Sequence, residues 1–107
     1  MNAKTEFLQH VEDPATVLCA IITHGDPFFD ENQMNRLNLP VNHTAEDMHN
    51  FIKSLDFKYN NGYGGQELYG CIWFKNGTWS TRGEYDGSEW WDHHSIPEIP
   101  KELKSKQ

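Results

Sequence analysis

The chain has no apolar run long enough to span a membrane, and its start, MNAKTEFLQH, has neither the basic opening nor the apolar stretch of a signal peptide. These absences predict a soluble, cytoplasmic protein with no membrane partner. Cysteine is scarce: Cys19 and Cys71 stand alone, outside any CxxC pair. A zinc knuckle or dithiol redox motif is therefore not supported, and free thiols are expected. The six histidines include no HExxH or HxH spacing. The glycine-rich stretch Asn60–Gly65 lacks the GK[ST] ending of a P-loop and precedes a strand rather than a helix. No catalytic residue, metal ligand or cofactor is assigned on these grounds. Lysine and arginine are missing from Gly83 to Pro100, where Glu84, Asp86, Glu89, Asp92 and Glu98 fall.

That last absence sets the electrostatics. The net charge is −7, and without the lysine-rich end KELKSKQ it is −9, from 6 basic and 15 acidic residues. Such a field repels nucleic acid phosphates and attracts a basic partner. Direct nucleic-acid binding is not expected, and mimicry of DNA would need denser charge. Aromatic residues make up 13% of the 107 residues, too many for a disordered chain. One α+β domain is predicted over residues 1–100, followed by a frayed tail over 101–107.

The segment LYGCIWFKNGTWSTRGEYDGSEWW, Leu68 to Trp91, carries two turn signals, Asn76-Gly77 and Asp86-Gly87. Each pair suits a two-residue type I′ loop, so a three-stranded antiparallel meander is predicted. With Asn76-Gly77 as the first loop, Phe74 pairs with Trp79 and Cys71 with Arg82. With Asp86-Gly87 as the second, Glu84 pairs with Glu89 and Arg82 with Trp91. Alternation then puts Leu68, Ile72, Phe74, Trp79, Tyr85 and Trp90 on one face, with Trp90 covering Gly83, and this face is read as core. The opposite face takes Tyr69, Cys71, Trp73, Ser80, Arg82, Glu84, Glu89, Trp91 and His93. In that register Arg82 stacks between Trp73 and Trp91, and Glu84 confronts Glu89. A solvated, rigidifying face is the plain reading. A partner-binding face of Tyr69, Trp73, Arg82, Glu84, Glu89 and Trp91 is the sharper one, because tryptophan, tyrosine and arginine dominate binding hot spots. Cys71 and His93 share this face, but on opposite outer strands with Arg82 between them, which makes a nucleophile pair a weak reading.

Elsewhere, Phe7, Leu8 and Val11 have helical spacing, giving a short helix or irregular arm that ends at Asp13-Pro14. Ala15 to Thr23 is β-branched and apolar on both faces, as in an interior strand. Thr44 as N-cap, with Asp47 three residues on, opens a helix whose stripe is Met48, Phe51, Ile52 and Leu55. The predicted fold is a four-stranded, largely antiparallel sheet with a C-terminal β-meander and one main helix packed on one face. The polar connection His24–His43 is long enough to be functional, and a metal- or ligand-binding domain built on it is the alternative function.

The residues DFKYNNGYGGQELYGCIWFKNGTWSTRGEYDGSEWW, with the following PEIP, resemble a segment of small uncharacterised acidic proteins of tailed bacteriophages. The resemblance covers Asp56 to about Pro100 and carries no established activity. It implies a small accessory protein, acting in the cytoplasm of an infected host cell, that inhibits or modulates a host protein. The expected function is accordingly a non-enzymatic acidic binding protein that engages a basic host surface. Monomer and homodimer both remain open, the latter by burial of Trp73 and Trp91 against a second copy.

Overall fold

A computed structural model describes residues 1–25, 35–59 and 65–104. Helix α1, Ala3–Val11, begins where the Asn2 side chain accepts a hydrogen bond from the Thr5 backbone N–H at 2.9 Å. Ala3, Phe7 and Val11 recur every four residues and are all buried. The helix stops at Glu12, whose φ is 63°. Pro14–Thr16 forms a 3-10 turn, capped by the Asp13 side chain accepting from Ala15 N at 2.9 Å. The first strand, β1, therefore begins at Val17 and runs to His24, two residues later than the sequence suggests.

β1 is interior, as expected, with β2 (Asn35–Leu39) on one side and β3 (Leu68–Phe74) on the other. β2 is a fifth strand, so the four-stranded expectation is corrected while the α+β class stands. The sheet order is β2-β1-β3-β4-β5, antiparallel at every step. Helix α2, Ala45–Ser54, has the reciprocal cap foreseen: Asp47 N donates to Thr44 Oγ1 at 3.1 Å and Thr44 N to Asp47 Oδ2 at 2.9 Å. Phe51 and Leu55 are buried, with Met48 and Ile52 partly buried against the core. Phe7 of α1 meets Phe51 of α2 edge-on, ring centres 5.7 Å apart. Both helices share a core with Val17, Ala20, Ile22, Leu68 and Ile72 on one side of the sheet. A single helical turn, α3, spans Lys101–Lys104 within the lysine-rich end.

The meander departs from its predicted register at the first hairpin. Between β3 and β4 (Trp79–Tyr85), Thr78 pairs with Phe74 and leaves a three-residue loop, Lys75-Asn76-Gly77, in place of two. Phe74 N donates to Thr78 O at 2.9 Å and Gly77 N to Phe74 O at 3.1 Å. Gly77 takes φ 89°, the left-handed position that such a three-residue loop needs. Asn76 Oδ1 holds the turn by accepting from Thr78 N at 3.0 Å and Thr78 Oγ1 at 2.6 Å. Trp73 thus faces Trp79, Ile72 faces Ser80 and Cys71 faces Thr81. A one-residue shift turns every β4 side chain to the other side of the sheet.

The second hairpin keeps its predicted register. Asp86 and Gly87, at φ 51° and 86°, connect β4 to β5 (Ser88–His94). Glu84 lies opposite Glu89, Gly83 opposite Trp90 and Arg82 opposite Trp91. β5 is therefore turned over together with β4. Leu68, Ile72 and Phe74 remain in the core, but Trp79, Tyr85 and Trp90 do not. Trp91 is 8% exposed, whereas Trp90 is 38% and Tyr85 77% exposed.

Candidate interaction surface

The sheet face away from the helices carries aromatic groups from three adjacent strands. Trp73 of β3, Trp79 of β4 and His94 of β5 form one row across the sheet. The Trp79 indole stacks on the His94 imidazole with ring centres 5.8 Å apart. Thr81 Oγ1 is hydrogen-bonded to His94 Nε2 at 2.8 Å, which fixes the imidazole beneath the indole. One row away, Cys71, Thr81 and Asp92 align. Next comes Trp90, lying over Gly83: a methyl group at Gly83 would come within 2.5 Å of Trp90 Nε1. That N–H donates to Asp92 Oδ1 at 2.8 Å. The Trp90 plate is held by glycine beneath and carboxylate at its edge.

Trp73 and Ile21 are each 39% exposed on this face. Between Trp73 and the Leu39-Pro40-Val41 corner lies an apolar groove of about 370 Å³, with Cys19 and Ile21 at its floor. Burial pushes both thiols above the ordinary cysteine value, and proximity to Cys19 adds to the shift at Cys71. They are protonated near neutrality and poor nucleophiles. Cys71 also lies on the opposite side of the sheet from His93, which pairs with Ser80. The Cys71–His93 pair of the sequence reading is thereby dismissed.

Arg82, Glu89 and Trp91, expected on the open face, belong to the helix-covered side. The Arg82 side chain is 2% exposed; its Nη1 donates to Glu6 Oε1 and its Nη2 to Glu89 Oε1, each at 3.0 Å. Nη2 also reaches the Tyr59 hydroxyl at 3.0 Å, and that hydroxyl donates a short bond to Glu6. The guanidinium lies 4.9 Å from the Trp91 ring centre and 5.6 Å from that of Tyr59. Glu89 further accepts from the backbone N–H groups of Glu67 and Leu68, at 2.8 and 3.0 Å. Burial alone would lower the Arg82 pKa, but Glu6, Glu89 and Tyr59 together raise it, so the cation is permanent. Burial, then the bond to Glu6, pushes the Tyr59 phenol well above its ordinary value. Glu84 is exposed opposite Glu89 and accepts from Gly87 N at 2.9 Å, closing the turn. The cation that relieves the facing glutamates is thus Arg82 from the same sheet. This cluster clamps α1 and the Tyr59 segment onto β4 and β5.

A second tie lies beside it. His10 Nε2 is 2.7 Å from Ser80 Oγ, which is 3.1 Å from His93 Nδ1. Serine beside histidine is the arrangement of a nucleophile and its base, but Ser80 is wholly buried and bonded to His10 of α1. Burial first, then His93 and Arg82, lower the His10 pKa against the opposing pull of Glu6 and Asp92. The folded state therefore favours neutral His10. It contributes stability that is present above pH 6.5 and is lost as pH falls through the lowered value. Denaturant melts from pH 7.5 to 5 are expected to show this acid loss, and His10→Gln should flatten it. An unchanged slope in that variant would place the acid sensitivity elsewhere.

Of the six residues predicted to bind a partner, Tyr69 and Trp73 lie on the open side of the sheet. Glu89, Trp91 and the side chain of Arg82 are buried, and Glu84 is exposed at the hairpin end. Trp79, Trp90, Asp92 and His94, which the sequence reading did not gather, complete the surface. Their signal was present in the Lys75-Asn76-Gly77 turn, where the Asn-Gly pair suits a three-residue loop as well as a two-residue one. Comparison with known proteins finds no matching family model, no matching curated protein and no matching solved structure.

Proposed function

We propose that the chain is a non-enzymatic binding protein that docks the open side of its sheet onto a partner protein with a basic surface. The observation that carries this reading is the set of three tryptophans, Trp73, Trp79 and Trp90, presented from adjacent strands on the side away from α1 and α2. Rigid indoles supply large contact area at low entropic cost, which is why they dominate hot spots. The net charge of −7 supports a basic partner, drawn in by long-range attraction. The bacteriophage resemblance of Asp56 to Pro100 makes a host protein the expected partner, and its inhibition or modulation the expected outcome.

The alternative, a ligand or metal site on His24–His43, has less to support it. Residues 26–34 of that segment lie outside the described residues. Among the described residues, no three His, Cys, Asp or Glu side chains gather to hold a metal. His24 is stacked on Phe57 at 4.3 Å, and His43 Nδ1 is bonded to Pro40 O at 2.7 Å.

The test is a pull-down from host lysate, with wild type set against Trp73→Ala/Trp79→Ala. The double variant is expected to weaken capture of a basic partner by more than about tenfold, equivalent to about 1.4 kcal/mol. Added salt should slow association without changing the dissociation rate appreciably. Undiminished, salt-insensitive capture would mean that another surface is used.

A further inference from the structure

β5 is an outer strand of the sheet, and among the described residues no strand lies on its far side. Its pairing with β4 fixes which backbone groups point outward. The two-residue loop makes Tyr85 and Ser88 a hydrogen-bonded pair, and every second pair after it, Gly83 with Trp90 and Thr81 with Asp92, follows suit. Glu89, Trp91 and His93 consequently aim their backbone N–H and C=O groups away from β4. No backbone bond from another element reaches them among the described residues. The same strand holds the Trp90 plate and the Asp92 carboxylate on its open side, two residues apart. No lysine or arginine occurs from Gly83 to Pro100, a stretch that carries Glu84, Asp86, Glu89, Asp92 and Glu98.

We propose that the β5 edge receives an extended segment of the partner with arginines at alternate positions, added antiparallel as a sixth strand. This rests on the protein-docking reading above and names the partner's chemistry and mode of binding. Backbone bonds to Glu89, Trp91 and His93 supply the pairing. Residues of the incoming strand opposite Trp90 and Asp92 then project on the open side, where a planar guanidinium stacks on the indole and pairs with the carboxylate. The spacing follows from strand alternation: the two cations fall at i and i+2, with uncharged residues between them. A second copy of this chain is disfavoured as the occupant, because it would bring one acidic edge against another.

Short blocked peptides of alternating arginine and threonine, titrated into the full chain and read by tryptophan fluorescence, test the proposal. Binding is expected to be saturable, weakened by salt, and lost when arginine is replaced by glutamate. N-methylation of the threonines, whose N–H groups face β5, should abolish binding, whereas N-methylation of the arginines should be tolerated. Asp92→Asn, which keeps an acceptor for Trp90, should weaken binding by about tenfold and reduce its salt dependence. Equal effects of the two methylation patterns would overturn strand addition. A dimer at the edge in sedimentation, without peptide, would overturn the choice of occupant. If no peptide binds while Trp73→Ala/Trp79→Ala still releases a basic partner from lysate, edge addition falls and the docking face stands. If neither effect is seen, both fall.

Discussion

Trp91→Ala is expected to destabilise the protein by about 3–5 kcal/mol, the cost of deleting a buried aromatic side chain. Trp91 is 8% exposed, lies under the Arg82 guanidinium at 4.9 Å and stacks with His10 at 6.2 Å. Its removal opens a cavity beneath α1 and strips an aromatic wall from a buried cation. Trp90, the adjacent residue in the chain, faces the other way and is 38% exposed. Trp90→Ala removes a plate from the surface and should cost about 1 kcal/mol. Urea melts of the two variants at neutral pH provide the comparison. Equal losses would mean that both sides of the sheet are covered, and a larger loss for Trp90 would restore the register in which it lies inside.

Arg82→Met is expected to cost a comparable 3–5 kcal/mol, because Glu6 and Glu89 would be left without their cation in a site closed to water. Glu89 is wholly buried as a side chain, and salt in the medium screens such a group poorly. The loss should therefore persist at high ionic strength. Adding Glu89→Gln to Arg82→Met should recover part of the stability, since one stranded carboxylate is removed while the amide oxygen can still accept from one of Glu67 N and Leu68 N. A loss below about 1 kcal/mol, reduced further by salt, would be the behaviour of a surface ion pair and would contradict the burial of Arg82.

The parts of the fold that were legible in the sequence are those with one local solution. Thr44 and Asp47 cap α2 reciprocally, and no other reading of that segment satisfies both groups. Asp86-Gly87 accommodates positive φ at both positions and defines its hairpin alone. The Asn76-Gly77 turn has two solutions, because Gly77 takes positive φ whether the loop holds two residues or three. The type I′ preference of Asn-Gly led to the two-residue loop, which put Trp79, Tyr85 and Trp90 inside with Leu68, Ile72 and Phe74. What that local signal could not weigh was the remote partners Glu6 and Tyr59, whose bonds make a buried Arg82 and Glu89 tolerable. These contacts span 76 and 23 residues of sequence, and no local pattern announces them. β2 escaped notice for a related reason. Its sequence NRLNL has little alternation, only Leu39 is buried, and pairing with β1 makes it a strand. The open aromatic side of the sheet was foreseen in kind, with Tyr69 and Trp73 in place, but the turned-over β4 and β5 exchanged its remaining members.

The functional reading depends on which tryptophans face solvent, and hydroxyl-radical labelling resolved by mass spectrometry measures this at each indole. Trp73 and Trp90 are expected to oxidise readily in the free protein, with Trp91 protected until the chain is unfolded. Ready oxidation of Trp91 together with protection of Trp90 would reverse the two sides of the sheet and contradict the docking surface.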